Sequence, residues 1–259
     1  MEWKDKGLIL GVRKHGETSA IVEIMTEQHG RHLGLVRGGR SSRMRPVLQP
    51  GNSVHIEWRA RLSEHLGTFQ IEGDQLRAAH LMDTPLGIYG LQTIANHLRL
   101  LPERDAHQGL YRAALVMLEH LDEPEKAARM LIRFELALLD ELGFGLDLTR
   151  CAATNIRHDL VWVSPKSGKA VSREAGQPYE TQLLSLPHFL LEEKAKPDKN
   201  QPVKNNEMLL QEGFELSFYF LQRNVYGPRG LRAPDERAGM IKKVMRLLKE
   251  GSLAQTHQE

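Results

Sequence analysis

The chain has 259 residues, 41% of them hydrophobic and 26% charged, with a formal net charge of +2 at pH 7. That composition belongs to a globular chain in which two domains are the expected count, and it excludes both a low-complexity polymer and a uniformly basic nucleic-acid coat. Contact with a polyanion must therefore come from local clustering of charge. A single cysteine, Cys151, excludes an internal disulfide framework and a four-cysteine zinc site. No apolar run approaches the ~20 residues of a membrane span. The charged start MEWKDKG does not open a signal peptide, so a cytoplasmic protein is expected.

The first 80 or so residues read as β. GLILGVRK (7–14) and AIVEIM (20–25) are apolar and β-branched, with HGET and TEQHG beside them as turns. RHLGLVRG (31–38), NSVHIEWRA (52–60) and GTFQIEG (67–73) follow as further strands. Five short strands in a row predict a small closed barrel, because an open sheet would have edges to protect.

After His80 the texture is helical. Asp83 or Thr84 caps a helix that has Pro85 just inside it and Leu91, Ile94, Leu98 and Leu101 on one side. A second helix runs through 107–121. A third starts on Asp122-x-x-Glu125 with Pro124 in the first turn and stops at Gly143. Ala127, Leu131, Phe134 and Leu138 form its stripe, and Met130, Leu136, Ala137 and Leu139 widen it, as the central helix of a bundle requires. DLVWVSPKSGKAVS (159–172) predicts a β-hairpin, and TQLLSLPHFLLEE (181–193) looks helical. A lysine-rich loop (194–206), an apolar helix near 207–225 and a basic helix over 237–250 complete the chain.

Catalytic signals are missing. SPKSGK lacks the upstream glycine and the following Ser or Thr of a phosphate loop, and reads as a hairpin turn. The histidines are scattered. His29 and His32, three apart across a turn and a strand start, are not expected on one face or on a metal. Glu192, Glu193, Lys194, Pro197 and Asp198 hold the letters of a metal nuclease in the wrong order, and read as a charged helix end. No catalytic residue, metal or cofactor is expected, and the chain is read as a non-enzyme.

The remaining signal is basic. Arg31, Arg37, Arg40, Arg43 and Arg45 contribute +5 with no acid between them. Two readings stand: a flexible loop kept soluble by its charge, or a surface for phosphate, which arginine's fork suits. Gly38 and Gly39 let a backbone approach closely, and Ser41 and Ser42 add neutral donors. Trp58 and Phe69 are the sole nearby candidates for base stacking, so contact through phosphates is expected. A second cluster, Arg237, Lys242, Lys243, Arg246 and Lys249, lies on the last helix, with Lys242, Arg246 and Lys249 on one face.

The turn G-E-T-S (16–19), the string I-V-x-I-M-T-x-x-x-G (21–30), the V-R-G-G-R loop with L-Q-P-G after it, and RFELALLDELGFGLDLTRC (133–151) together resemble the RecO family of bacterial DNA-repair proteins. The likeness runs in order from Gly7 to about Ser172. It implies an α+β chain: a five-stranded oligonucleotide-binding (OB) barrel at 1–81 that binds DNA, then a helical bundle domain at 82–259. A small β-hairpin, zinc-finger-like module is inserted at about 150–180.

The resemblance also implies a recombination mediator of the RecF pathway, cytoplasmic and nucleoid-associated. It would bind single- and double-stranded DNA, anneal complementary strands, and help load RecA onto strands coated by single-strand-binding protein. The implied partners are RecR and the C-terminal tail of single-strand-binding protein, whose terminal carboxylate would be received by Arg133 with help from Arg129. Read from the residues alone, Arg133 is equally a surface charge beside Glu135 or Glu141. Many family members carry two C-x-x-C zinc pairs in the module. Here Thr154 occupies the second position of the first pair and no other cysteine exists, so no zinc is expected and Val161, Trp162 and Val163 must hold the hairpin by packing. The competing reading is an OB-type RNA-binding or translation-associated module.

Overall fold

Short apolar runs along the first 73 residues build a barrel from β1 (Glu2–His15), β2 (Ser19–Thr26), β3 (Gly30–Val36), β4 (Ser53–Arg59) and β5 (Thr68–Gly73), with strict alternation of burial in β3. The computed structural model describes residues 1–191 and 205–256, and the side chains of these as far as residue 251. The strands close in the order β1-β2-β3-β5-β4, with β3 and β5 meeting in parallel at Leu35 and Thr68 and the other pairs antiparallel. β1 serves two neighbours. Glu2–Leu8 pairs with β4 and Gly7–His15 with β2, and a register shift between Ile9 and Gly11 lets the strand bend from one to the other. Ile9, Val22, Ile24, Val54, Ile56, Trp58 and Phe69 fill the interior. Trp58 and Phe69 are thus core residues, 2% and 4% exposed, and not a stacking platform.

The stretch between β3 and β4 is a series of tight turns. Arg45 N donates to Ser41 O at 3.1 Å and Leu48 N to Met44 O at 2.8 Å. Those turns drive Leu48 into the barrel core, where it is 3% exposed and contributes roughly 1.5–3 kcal/mol. Asn52, fully buried, donates to Pro46 O and Val47 O and accepts from Ala78 N, satisfying backbone groups that the turns leave over.

His29 and His32, expected on different faces, both reach Trp3. His29 stacks on its ring at 4.1 Å and His32 meets its edge at 5.0 Å. The β2–β3 turn curls His29 back over the first strand, a path that spacing alone does not reveal. His29 Nδ1 also lies 2.9 Å from Asp5 Oδ2. His32 is 5% exposed. Burial foremost, then the charges of Arg104 and His29, bring its pKa down to about 4 from 6.5, against the pull of the His29 backbone and Asp5. The unfolded chain therefore takes up this proton near pH 6.5 and the folded barrel not until about pH 4. Stability should hold above neutrality and decline as pH falls through that window, by up to about 3 kcal/mol from this residue. Urea melts at several pH values, with His32→Gln alongside, check this: a variant with the parent's acid slope would remove His32 as its source.

The described chain forms two compact units, Met1–Pro124 with Pro234–Val244, and Glu125–Ala233 with Met245–Glu259. Where the expected barrel domain ends at residue 81, the first unit continues through α1 (Ala78–Met82), α2 (Pro85–Leu98) and α3 (Gln108–Glu119). Of the two candidate caps it is Thr84 that accepts from Gly87 N, at 3.0 Å.

In the second unit α4 (Pro124–Glu141) buries Ala127, Leu131, Phe134 and Leu138. It opens one residue later than a capping box on Asp122 requires. It closes in a Schellman turn: Gly143, at φ +84°, donates to Asp140 O and Phe144 N to Leu139 O at 2.7 Å. Ser217 of α6 (Asn206–Leu221) donates to the buried Glu135 carboxylate of α4 at 2.5 Å. The expected hairpin is β6 (Leu160–Val163) with β7 (Ala170–Ser172), followed by the short α5 (Arg173–Gly176).

The helix expected over 181–193 is not formed among the described residues of that range, 181–191. Residues 177–182 and 188–190 are 3-10 turns, and β8 (Leu184–Ser185) joins β6 as a third strand. Pro187 denies a helix its donor and biases Leu186 to extended backbone, where Leu186 N bonds Val161 O at 2.9 Å. The last helix is α7 (Asp235–Thr256). The Glu192, Glu193, Lys194 and Asp198 string, with most of the lysine-rich loop, lies outside the described residues.

Candidate nucleic-acid interface

Arg37, Ser41, Ser42, Arg43 and Arg45 are exposed and Arg40 is half-buried, all on the turns that carry Leu48 into the barrel. These turns are tied down, where a flexible loop was expected. Arg40 N donates to Thr18 O at 3.0 Å, and its Nη1 to Gly16 O at 2.8 Å, so the loop rests on the β1–β2 turn. Arg45 Nε donates to Arg40 O at 3.1 Å, and Gln49 Nε2 to Arg45 O at 2.8 Å. Order of this kind lowers the entropy cost of binding, because the backbone that carries the exposed arginines is already fixed.

Arg31 stands apart. It lies on β3, 13% exposed, with Nη1 3.0 Å from Glu23 Oε1 and 3.3 Å from Glu103 Oε1. Its charge is matched by carboxylates, so the structure does not bring it together with the loop arginines. The sequence sees one run of five cations; the fold divides it. The anchoring by Gly16 and Thr18 was missed, because it uses backbone carbonyls, which residue type does not encode. The G-E-T-S string was the available signal.

The aromatic faces of the two barrel tryptophans are taken as well. Trp3 is stacked between His29 at 4.1 Å and Trp58 at 5.4 Å. What the loop offers is forked, charged donors suited to phosphate oxygens. A groove of about 580 Å³ elsewhere on the barrel mixes Lys4, Lys6 and His55 with Glu27, Glu57 and Glu72, a poor track for a polyanion. On α7, Lys242, Arg246 and Lys249 are exposed, and Arg246 pairs with Glu250 at 3.3 Å. Arg237, grouped with them in the sequence, is instead buried at 6% exposure.

In the second unit Arg133 is exposed on α4, and its Nη2 donates to Phe189 O at 2.7 Å. Its partner is therefore a carbonyl in addition to any nearby carboxylate. Arg129 lies over the Phe189 ring at 4.9 Å and Arg133 at 6.0 Å. Arg129 also pairs with Glu125 at 2.8 Å and bonds Asn206 Oδ1 at 2.9 Å. The result is an aromatic ring framed by two guanidinium groups, one of them exposed.

The inserted module does not suit zinc. Cys151 is 2% exposed, and its Sγ accepts from Ser172 N and Ser172 Oγ, both at 3.3 Å. Burial pushes the thiol up, but hydrogen bonds from Ser172 and Thr154 outweigh it and hold the pKa near about 6, below the ordinary 9.0. Among the described residues no group of three or more His, Cys, Asp or Glu is placed to hold a metal. One sulfur with hydroxyl and amide donors around it is a hydrogen-bond hub, and this hub adds to the packing of the buried Trp162 and Val163.

No helix among the described residues is long and apolar enough to cross a membrane. The family described as Recombination protein O N terminal matches residues 1–73, and Recombination protein O C terminal matches 93–233. The chain is 58% identical over 241 residues to the DNA repair protein RecO of Mesorhizobium japonicum, covering 93% of this chain and 92% of that protein. It is 56% identical over 254 residues to the DNA repair protein RecO of Chelativorans sp., covering 98% and 100%. With the protein of the same name from Sinorhizobium medicae it shares 52% identity over 252 residues, covering 97% and 98%. A closed five-stranded barrel with an arginine loop laid on its first turn, a helical unit beyond it, and these matches along the chain have one reading: the chain belongs to the RecO family.

Proposed function

We propose that this protein is a DNA-repair and homologous-recombination mediator that acts without covalent chemistry in the nucleoid-associated cytoplasm. It binds single- and double-stranded DNA through phosphates, anneals complementary strands, and helps load RecA onto strands coated by single-strand-binding protein. The observation that carries this reading is the tethered, outward arginine loop on an OB-type barrel in a RecO-family chain. Arg37, Arg43 and Arg45, with Ser41 and Ser42, are its DNA-contacting group, and Arg40 belongs to the same loop. Arg31 belongs to that group through support of β3 more than through direct contact, since Glu23 and Glu103 hold its charge.

RecR and the C-terminal tail of single-strand-binding protein are the proposed protein partners. The exposed Arg133 guanidinium pairs the tail's terminal carboxylate, and the buried Phe189, with Arg129 over the same ring, holds that guanidinium in place. Arg133→Glu should weaken capture of a labelled tail peptide by roughly tenfold or more, because it sets like charge against the carboxylate. Fluorescence anisotropy measures this, and affinity for bare DNA should stay within about twofold. Unchanged peptide capture would remove Arg133 from the site.

The decisive experiment is annealing of complementary strands precoated with single-strand-binding protein, with the loop variant in parallel and Mg²⁺ present. Faster annealing by the parent alone supports the proposal. Strand cleavage would point to an enzyme, and preference for matched RNA in competition would point to the RNA-binding alternative.

A further inference from the structure

We infer that the phosphate surface is composite: Lys14 of the β1–β2 hairpin contributes to it, and Arg40 is a positioning residue that locks the arginine loop to that hairpin. This rests on the nucleic-acid reading above and divides its residues by role.

β1 pairs with β4 only through Leu8, so Val12 to His15 run on past the barrel wall with β2 alone beside them. Arg13, Lys14 and His15 are all exposed there. Directly opposed residues of an antiparallel pair share a face, and successive residues alternate. Lys14 is opposite Ala20 and Arg13 is opposite Ile21, so the two cations leave the hairpin on opposite sides. Ala20 is 2% exposed and belongs to the barrel core. The loop covers that same face. A Cβ placed on Gly39 would stand 3.0 Å from Ala20 Cβ and 3.1 Å from Leu48 Cδ1. Lys14 therefore emerges on the side where the arginine loop lies, and Arg13 on the other. The nearest acid in the turn between them is the exposed Glu17, while Glu23 is engaged by Arg31 and Arg99.

Arg40 is built differently from its neighbours. Its amide and its guanidinium reach two carbonyls of one turn, Thr18 O and Gly16 O, and its own carbonyl receives Arg45 Nε. A side chain spent this way sets where Arg37, Arg43 and Arg45 stand; its charge is turned towards the hairpin. Arg37 and Arg43, exposed on either side of it, are the forks left for phosphate.

The test reads the slope of log affinity against log salt for a labelled single-stranded oligonucleotide of mixed sequence, since each phosphate contact contributes about 0.7 to it. Lys14→Ala should flatten the slope by about that amount and Arg13→Ala should leave it alone, with thermal melts showing that both fold. An equal effect from the two, or none from Lys14→Ala, overturns the composite surface. Adding Arg40→Ala to Arg37→Ala/Arg43→Ala/Arg45→Ala should change the slope no further, because a residue that acts through the others has nothing left to position. A further loss of about 0.7 would make Arg40 a direct contact and overturn its positioning role. If Arg37→Ala/Arg43→Ala flattens the slope while Lys14→Ala does not, the composite surface alone has failed. If neither does, the nucleic-acid reading has failed with it.

Discussion

Simultaneous replacement of Arg37, Arg40 and Arg43 by alanine is expected to weaken binding of mixed-sequence DNA by roughly 10- to 100-fold at about 0.1 M salt. The loss has two parts. Arg37 and Arg43 are exposed forks, and each releases counterions when it neutralises a phosphate. The Arg40 side chain supplies the bond to Gly16 O, while its amide keeps Thr18 O, so its loss removes one of the loop's two ties to the β1–β2 turn and loosens the backbone on which Arg45 rests. The salt dependence should flatten by about 1.5–2 in slope, and the deficit should be similar across sequences, because phosphates carry no base identity. Anisotropy titrations at several salt concentrations provide the measurement. A triple variant that binds as the parent does at low and moderate salt would show that the loop is not the site.

Gly30→Ala is expected to cost stability more than any surface change, on the order of 3–5 kcal/mol. Gly30 has φ +69°, and a Cβ there would sit 1.9 Å from Asp105 O and 2.7 Å from Asp105 N. The segment behind α2 is fastened to β3 at this point: Arg104 N donates to Arg31 O at 3.0 Å, and Arg31 reaches Glu103 and Leu101 O. No flexible side chain is available to give way; backbone must move. Gly38→Ala is the control, since Gly38 has φ +66° with open space around it and should cost only the conformational penalty of about 1 kcal/mol. Urea denaturation followed by fluorescence of the barrel tryptophans separates the two. Equal losses for both variants would mean that contact with Asp105 is not what holds the segment.

Much of the barrel was legible because short apolar, β-branched runs bounded by turn residues announce strands over short distances. AIVEIM and NSVHIEWRA declare strands whatever lies far away, and Thr84-Pro85 declares a helix start. The misreadings came where local texture is neutral between outcomes. The leucines of TQLLSLPHFLLEE suit a buried helix and a buried strand equally, and β6 was already waiting for a third partner. His29 and His32 looked unrelated until the β2–β3 turn brought both to Trp3.

The arginine run shows the division most clearly. That five cations occur without an acid, that they lie on and after a strand, and that one cysteine cannot build a four-cysteine zinc site are properties of composition and order, and reading the residues in line was enough to establish them. Which arginines face solvent was settled by acceptors distant in the chain: Glu23 and Glu103 for Arg31, the Gly16 and Thr18 carbonyls for Arg40, the Phe189 carbonyl for Arg133. Most of these acceptors are backbone oxygens, identical in every residue. Their positions depend on strand register and turn geometry, so they exist as binding partners only once the chain has folded.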